Sequence, residues 1–81
     1  MKTVYVDLTN VNSIKKFANI LSRYEGDFDL VQGRYRIDGK SIVGIFSLDL
    51  SKPIQLEIEN ENPELDIELM PFLADQNNVR W

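Results

Sequence analysis

The chain has 81 residues and contains neither histidine nor cysteine. Imidazole general acid–base catalysis, thiolate nucleophiles, disulfides and zinc sites built on Cys and His are therefore excluded. Carboxylates are plentiful, but Asp27, Asp29, Glu57 and Glu59 show no spacing that argues for a hydrolase pair or a metal site. They read as strand-face and loop solubilisers. Two serines near lysines and at possible helix starts remain. Ser41 follows Lys40 and precedes a short apolar run, Ile42 to Leu48. A serine that opens a helix faces exposed backbone N–H groups, a favourable place for a phosphate that Lys40 could contact; it is equally a plain N-cap. Ser13 stands near Lys15 and Lys16. Those three are either a cap with two solvated lysines or an anion or partner site at a helix N-terminus.

The elements that must position these residues are legible from periodicity. Thr3 to Leu8 alternates, with Val4, Val6 and Leu8 on one face, and predicts a half-buried strand. Val11 to Tyr24 predicts a helix, with Val11, Ile14, Phe17, Ala18, Leu21 and Tyr24 at helical spacing. Asn10, Asn12 or Ser13 can cap its start, and Gly26 suits the left-handed position beyond its end. Phe28 to Gln32 and Arg34 to Asp38 form a hairpin around Gly33, followed by an Asp38-Gly39 turn. Ser41 to Leu48 reads as either a strand or a short helix, and Asp49 to Pro53 as a loop. Ile54 to Glu59 is the clearest strand, with Ile54, Leu56 and Ile58 on one side. Asn62 caps a last helix with Pro63 at its first position. Leu65, Leu69, Met70 and Leu73 supply its buried stripe, and Pro71 should kink or break it. Gln76 to Trp81 is expected to fray.

The order β-α-β-β-α-β-α, with polar outer strand faces, predicts a single α+β domain over residues 1–81. Its architecture is an open-faced sandwich: a four-stranded antiparallel sheet covered on one face by helices. Apolar residues make up 43% and aromatics 10%, enough for a core and against disorder. No apolar run approaches the roughly 20 residues of a membrane span, no signal-peptide pattern opens the chain, and a cytoplasmic protein without membrane insertion is expected. The net charge of −4 argues against general nucleic-acid binding. The charge is uneven, +2 over residues 1–40 and −6 over residues 41–81, so a basic patch near the first helix facing an acidic protein partner competes with an ordinary solvated surface.

Lys40-Ser41-Ile42-Val43-Gly44-Ile45-Phe46-Ser47-Leu48 resembles the regulatory segment of HPr, the phosphocarrier of the bacterial sugar phosphotransferase system, which reads Lys-Ser-Ile-Met-Gly-Val-Met-Ser-Leu or close variants. The element order matches that fold along nearly the whole chain. The resemblance implies that Ser41 to Leu48 is the short second helix, with Ile45 and Leu48 in the core and Ile42, Val43 and Phe46 in an apolar docking patch. It implies that Ser41 is the target of a dedicated serine kinase, and that a regulator reads the phosphorylated form.

The other half of the HPr signature, Gly-Leu-His-Thr-Arg-Pro at the start of the first helix, is missing. Counting back from Glu25-Gly26, which is similar to the family's Lys-Gly, the histidine position falls on Ser13, the arginine near Lys15 and the proline near Lys16. Val11 and Asn12 replace the glycine and leucine. A serine would form a stable phosphoester where imidazole forms a transferable phosphoramidate. The resemblance thus implies a divergent HPr-like domain that is not an enzyme, carries no cofactor and acts through protein contacts at Lys15, Lys16, Lys40, Ile42, Val43 and Phe46. Two alternatives stand beside it: a phosphoryl-transfer component with a non-histidine acceptor, and an orphan structural domain that shares only the fold.

Overall fold

Period-two apolar patterning builds the sheet, and β4 shows why most directly. Ile54, Leu56 and Ile58 are all buried on one face of β4 (Ile54–Ile58), while Gln55 and Glu57 point the other way. The computed structural model describes residues 1–74. β4 is central in a four-stranded antiparallel sheet of order β1-β4-β2-β3, with β1 at Lys2–Val6, β2 at Phe28–Gln32 and β3 at Tyr35–Asp38. Register places Val4 and Leu30 on either side of Leu56. Three helices complete the expected order: α1 (Val11–Leu21), α2 (Ile42–Phe46) and α3 (Pro63–Leu69). They cover one face of the sheet. Tyr5 and Arg36 stay exposed on the other.

The core joins Val6, Phe28, Leu30 and the β4 residues to Ile14, Phe17 and Leu21 of α1, Ile45 of α2, and Leu65 and Leu69 of α3. Val4, whose place on the inward face of the first strand predicts burial, is only partly buried, although Val6 two residues along the same strand is fully buried. Gly26 (φ +99°) and Gly33 (φ +59°) take left-handed conformations that a Cβ would strain, which places one turn after α1 and the other in the hairpin.

Several boundaries differ from the sequence reading. α1 stops at Leu21, although Tyr24 still packs against the core, and Val11 at its first turn is half exposed. β1 ends at Val6, yet Leu8 is fully buried beyond it. β3 begins at Tyr35 and β4 ends at Ile58. The larger correction concerns the end of α3. Met70 is 64% and Leu73 39% exposed, whereas Phe72 is buried. Pro71 has no N–H to continue the helix, so the chain tightens into a 3-10 turn, Met70–Phe72. That turn swings Phe72 inward, where it meets the Phe17 ring edge-on at 5.7 Å between centroids. The chain then bridges the free edge of β1: Asp7 N–H donates to Phe72 O at 2.8 Å and Ala74 N–H to Tyr5 O at 2.9 Å. The expectation for Gln76 to Trp81 lies outside the described residues.

Candidate functional site

The run that sequence left between strand and helix is helical. Ser41 is its N-cap, in extended conformation, and its Oγ accepts a hydrogen bond from Gly44 N–H at 3.0 Å. Ile45 and Leu48 point into the core. Burying those two turns the opposite side of α2 outward: Ile42 is 37%, Phe46 47% and Val43 83% exposed. Three apolar side chains on one short helix thus form a surface patch next to Ser41, which is itself half-buried.

α1 begins with Asn10 as N-cap, the first of the three expected candidates, and its Oδ1 accepts from Ser13 N–H at 2.8 Å. Ser13 therefore sits inside the first turn of the helix, half-buried. Lys15 and Lys16 are exposed, but they face different neighbours. Lys15 lines a groove with Ala18 and Asn19 of α1, Ser22 at its C-cap, Lys40, and Ile42 of α2. Lys16 lines another with Ile20, Arg23, Glu68 and Phe72, on the α3 side. The structure thus gathers Lys15, Lys40 and Ile42 and leaves Lys16 apart from them.

Lys40 is already occupied. Its Nζ donates to Tyr24 O at 3.3 Å and lies 5.3 Å from the centre of the Phe28 ring, so it ties the approach to α2 to the end of α1. The basic excess of residues 1–40 is also partly spent. Arg36 donates to Asp29 at 2.9 Å and Glu57 at 2.7 Å across the open sheet face, Arg23 to Glu68 at 2.7 Å, and Lys2 pairs with Asp66 at 2.9 Å. The basic patch expected near α1 reduces to Lys15 with Lys40 alongside, and Lys16 stands apart on the α3 side.

Asp29 and Glu57, expected to be simple solubilisers, hold Arg36 between them. Arg36 pulls the Glu57 carboxyl below its usual range through that hydrogen bond, and Glu57 and Asp29 in turn raise the guanidinium. A second cluster ties α1 to α3: the Tyr24 hydroxyl and Arg23 both donate to Glu68. The hydrogen bond from Tyr24 lowers Glu68, and Glu68 raises Tyr24. No group of three or more metal-ligating side chains occurs among the described residues, and no helix among them is long and apolar enough to cross a membrane.

The strand order, the three helices on one sheet face and the capped short second helix define an HPr-like open-faced α+β sandwich. The chain is similar to the crystal structure of HPr-C-His from Thermoanaerobacter tengcongensis, with a TM-score of 0.71 at 23% sequence identity, covering 88% of this chain and 89% of that one. No family model and no curated protein matches the chain in sequence.

Proposed function

We propose that this chain is a non-catalytic HPr-like interaction domain of the cytoplasm, which docks protein partners through α2 and is regulated at Ser41. The observation that carries the reading is the exposure of Ile42, Val43 and Phe46 around a capping serine, while Ile45 and Leu48 are buried. Three large apolar side chains on so small a helix are costly to leave in water unless a partner covers them. The groove holding Lys15 and Lys40 beside Ile42 adds positive charge at the edge of the patch and favours an acidic partner. A phosphate on Ser41 would stand at the positive end of α2, near the N–H of Gly44. The partners proposed are a serine kinase of the HPr type and a regulator that reads the phosphorylated surface.

A phosphoryl-relay role has less support. The chain has no histidine, and a phosphate on the Ser13 hydroxyl would be a stable ester where imidazole forms a transferable phosphoramidate. Incubation with the upstream phosphotransferase and phosphoenolpyruvate should give no acid-labile label; label that passes on to a sugar-specific acceptor would reinstate the relay. The regulatory reading is tested with purified HPr-type serine kinase and ATP, using an ordinary HPr as control. Label is expected on this chain and not on its Ser41→Ala variant. A labelled control beside an unlabelled chain removes the regulatory reading and leaves a likeness of fold.

A further inference from the structure

α2 has five residues with Gly44 at its centre, and only Ile45 among them is buried. A helix this short does not persist alone, and the interior glycine weakens it further. Its first turn has no acidic residue and its last no basic one. It is held from outside, at both ends. At the start, Ser41 Oγ takes the Gly44 N–H. Gly44 also sits in a tight place: a Cβ there would lie 3.1 Å from Ser41 Oγ and 3.3 Å from Ile37 Cδ1 of β3.

At the far end the tie is a side chain acting as a strand. Gln32, the last residue of β2, bonds the backbone of Asp49 in both directions: Nε2 donates to Asp49 O at 2.8 Å, and Asp49 N–H donates to Oε1 at 2.8 Å. The Asp49 carboxylate accepts from Ser51 N–H at 3.0 Å and Ser51 Oγ at 2.6 Å, which fixes the bend beyond. Residues 41–49 contribute two of the sixteen buried side chains of the core, Ile45 and Leu48, and the other fourteen lie outside the segment.

We infer that residues 41–49 open as one unit while the sheet stays folded, and that the Gln32 amide is the latch that keeps the unit closed. The inference does not depend on the proposed function. It bears on it because the same segment carries Ser41, Val43 and Phe46, and its opening decides whether they are presented as a helix face or along an extended chain.

Native-state hydrogen exchange on the full chain, at low urea concentrations, tests this. The amides of Gly44, Ile45, Ser47, Leu48 and Asp49 should exchange through a common opening with little urea dependence, well before those of β2 and β4. Gln32→Ala, which removes two neutral hydrogen bonds, should speed that group roughly tenfold and leave the sheet amides unchanged. Gln32→Glu keeps an acceptor for Asp49 N–H but sets a carboxylate oxygen against Asp49 O, so it should speed the group at least as much as Gln32→Ala. Exchange of residues 44–49 together with the sheet would overturn the separate unit. Unchanged rates in Gln32→Ala, or equal acceleration of every amide, would overturn the latch.

Discussion

Leu56 and Val43 are aliphatic residues of opposite fate, and truncating each to alanine separates core from docking surface. Leu56 is fully buried in the central strand, between Val4 and Leu30. Leu56→Ala should cost about 2–5 kcal/mol, the lost transfer energy plus the cavity left in a well-packed centre. At about 2.1 cal/mol/K per residue, a chain of this size has an unfolding entropy of roughly 0.17 kcal/mol/K, so 1 kcal/mol corresponds to about 6 °C. The expected fall in Tm is therefore about 12–30 °C. Since total stability should lie near 4–12 kcal/mol, the upper end would leave the variant barely folded. Val43 is 83% exposed, and Val43→Ala should stay within about 0.5 kcal/mol, or about 3 °C. Thermal unfolding followed by circular dichroism, with urea titration for free energies, measures both. A Leu56→Ala loss well under 1 kcal/mol would refute the assigned core. A Val43→Ala loss above 1.5 kcal/mol would show that the patch serves the fold and not a partner.

The cap of α2 gives a second contrast. Ser41→Ala should lose about 1 kcal/mol, whereas Ser41→Asp, an equally good cap at the positive helix end, should leave Tm nearly unchanged and alter only partner binding, measured by calorimetry. Acid should destabilise the protein through Glu57 and Glu68, whose folded pKa values are depressed. Their stabilisation is present above the unfolded carboxylate range near pH 4.3 and is lost as pH falls through the lower folded values. Urea midpoints between pH 6 and pH 3 should fall less steeply in Glu57→Gln; an unchanged slope would remove Arg36 from the account. Tyr24 titrates in the opposite sense. Its folded pKa is raised, so its contribution is complete below the unfolded value near 10 and lost as pH rises through the folded one. Tyr24→Phe should flatten that alkaline loss in the same measurement.

The amino-acid sequence determined whatever depends on neighbours along the chain. The alternation of Ile54, Leu56 and Ile58, the stripe of Ile14, Phe17, Ala18 and Leu21, and the Asn62-Pro63 cap set strands and helices by local periodicity and local hydrogen bonds, and all of these are observed. The absence of histidine fixed the chemistry that is out of reach before any fold was known. Tertiary structure decided the rest. Residues Ser41 to Leu48 fitted either element until the core took Ile45 and Leu48 and left Val43 outside. Lys15 and Lys16 are adjacent in sequence, but successive helical residues point about 100° apart, so one faces α2 and the other α3. Gln32 reaches Asp49 and Arg36 reaches Glu57 because the sheet brings distant segments side by side. Such contacts leave no periodic trace in sequence, since either partner alone is an ordinary polar residue.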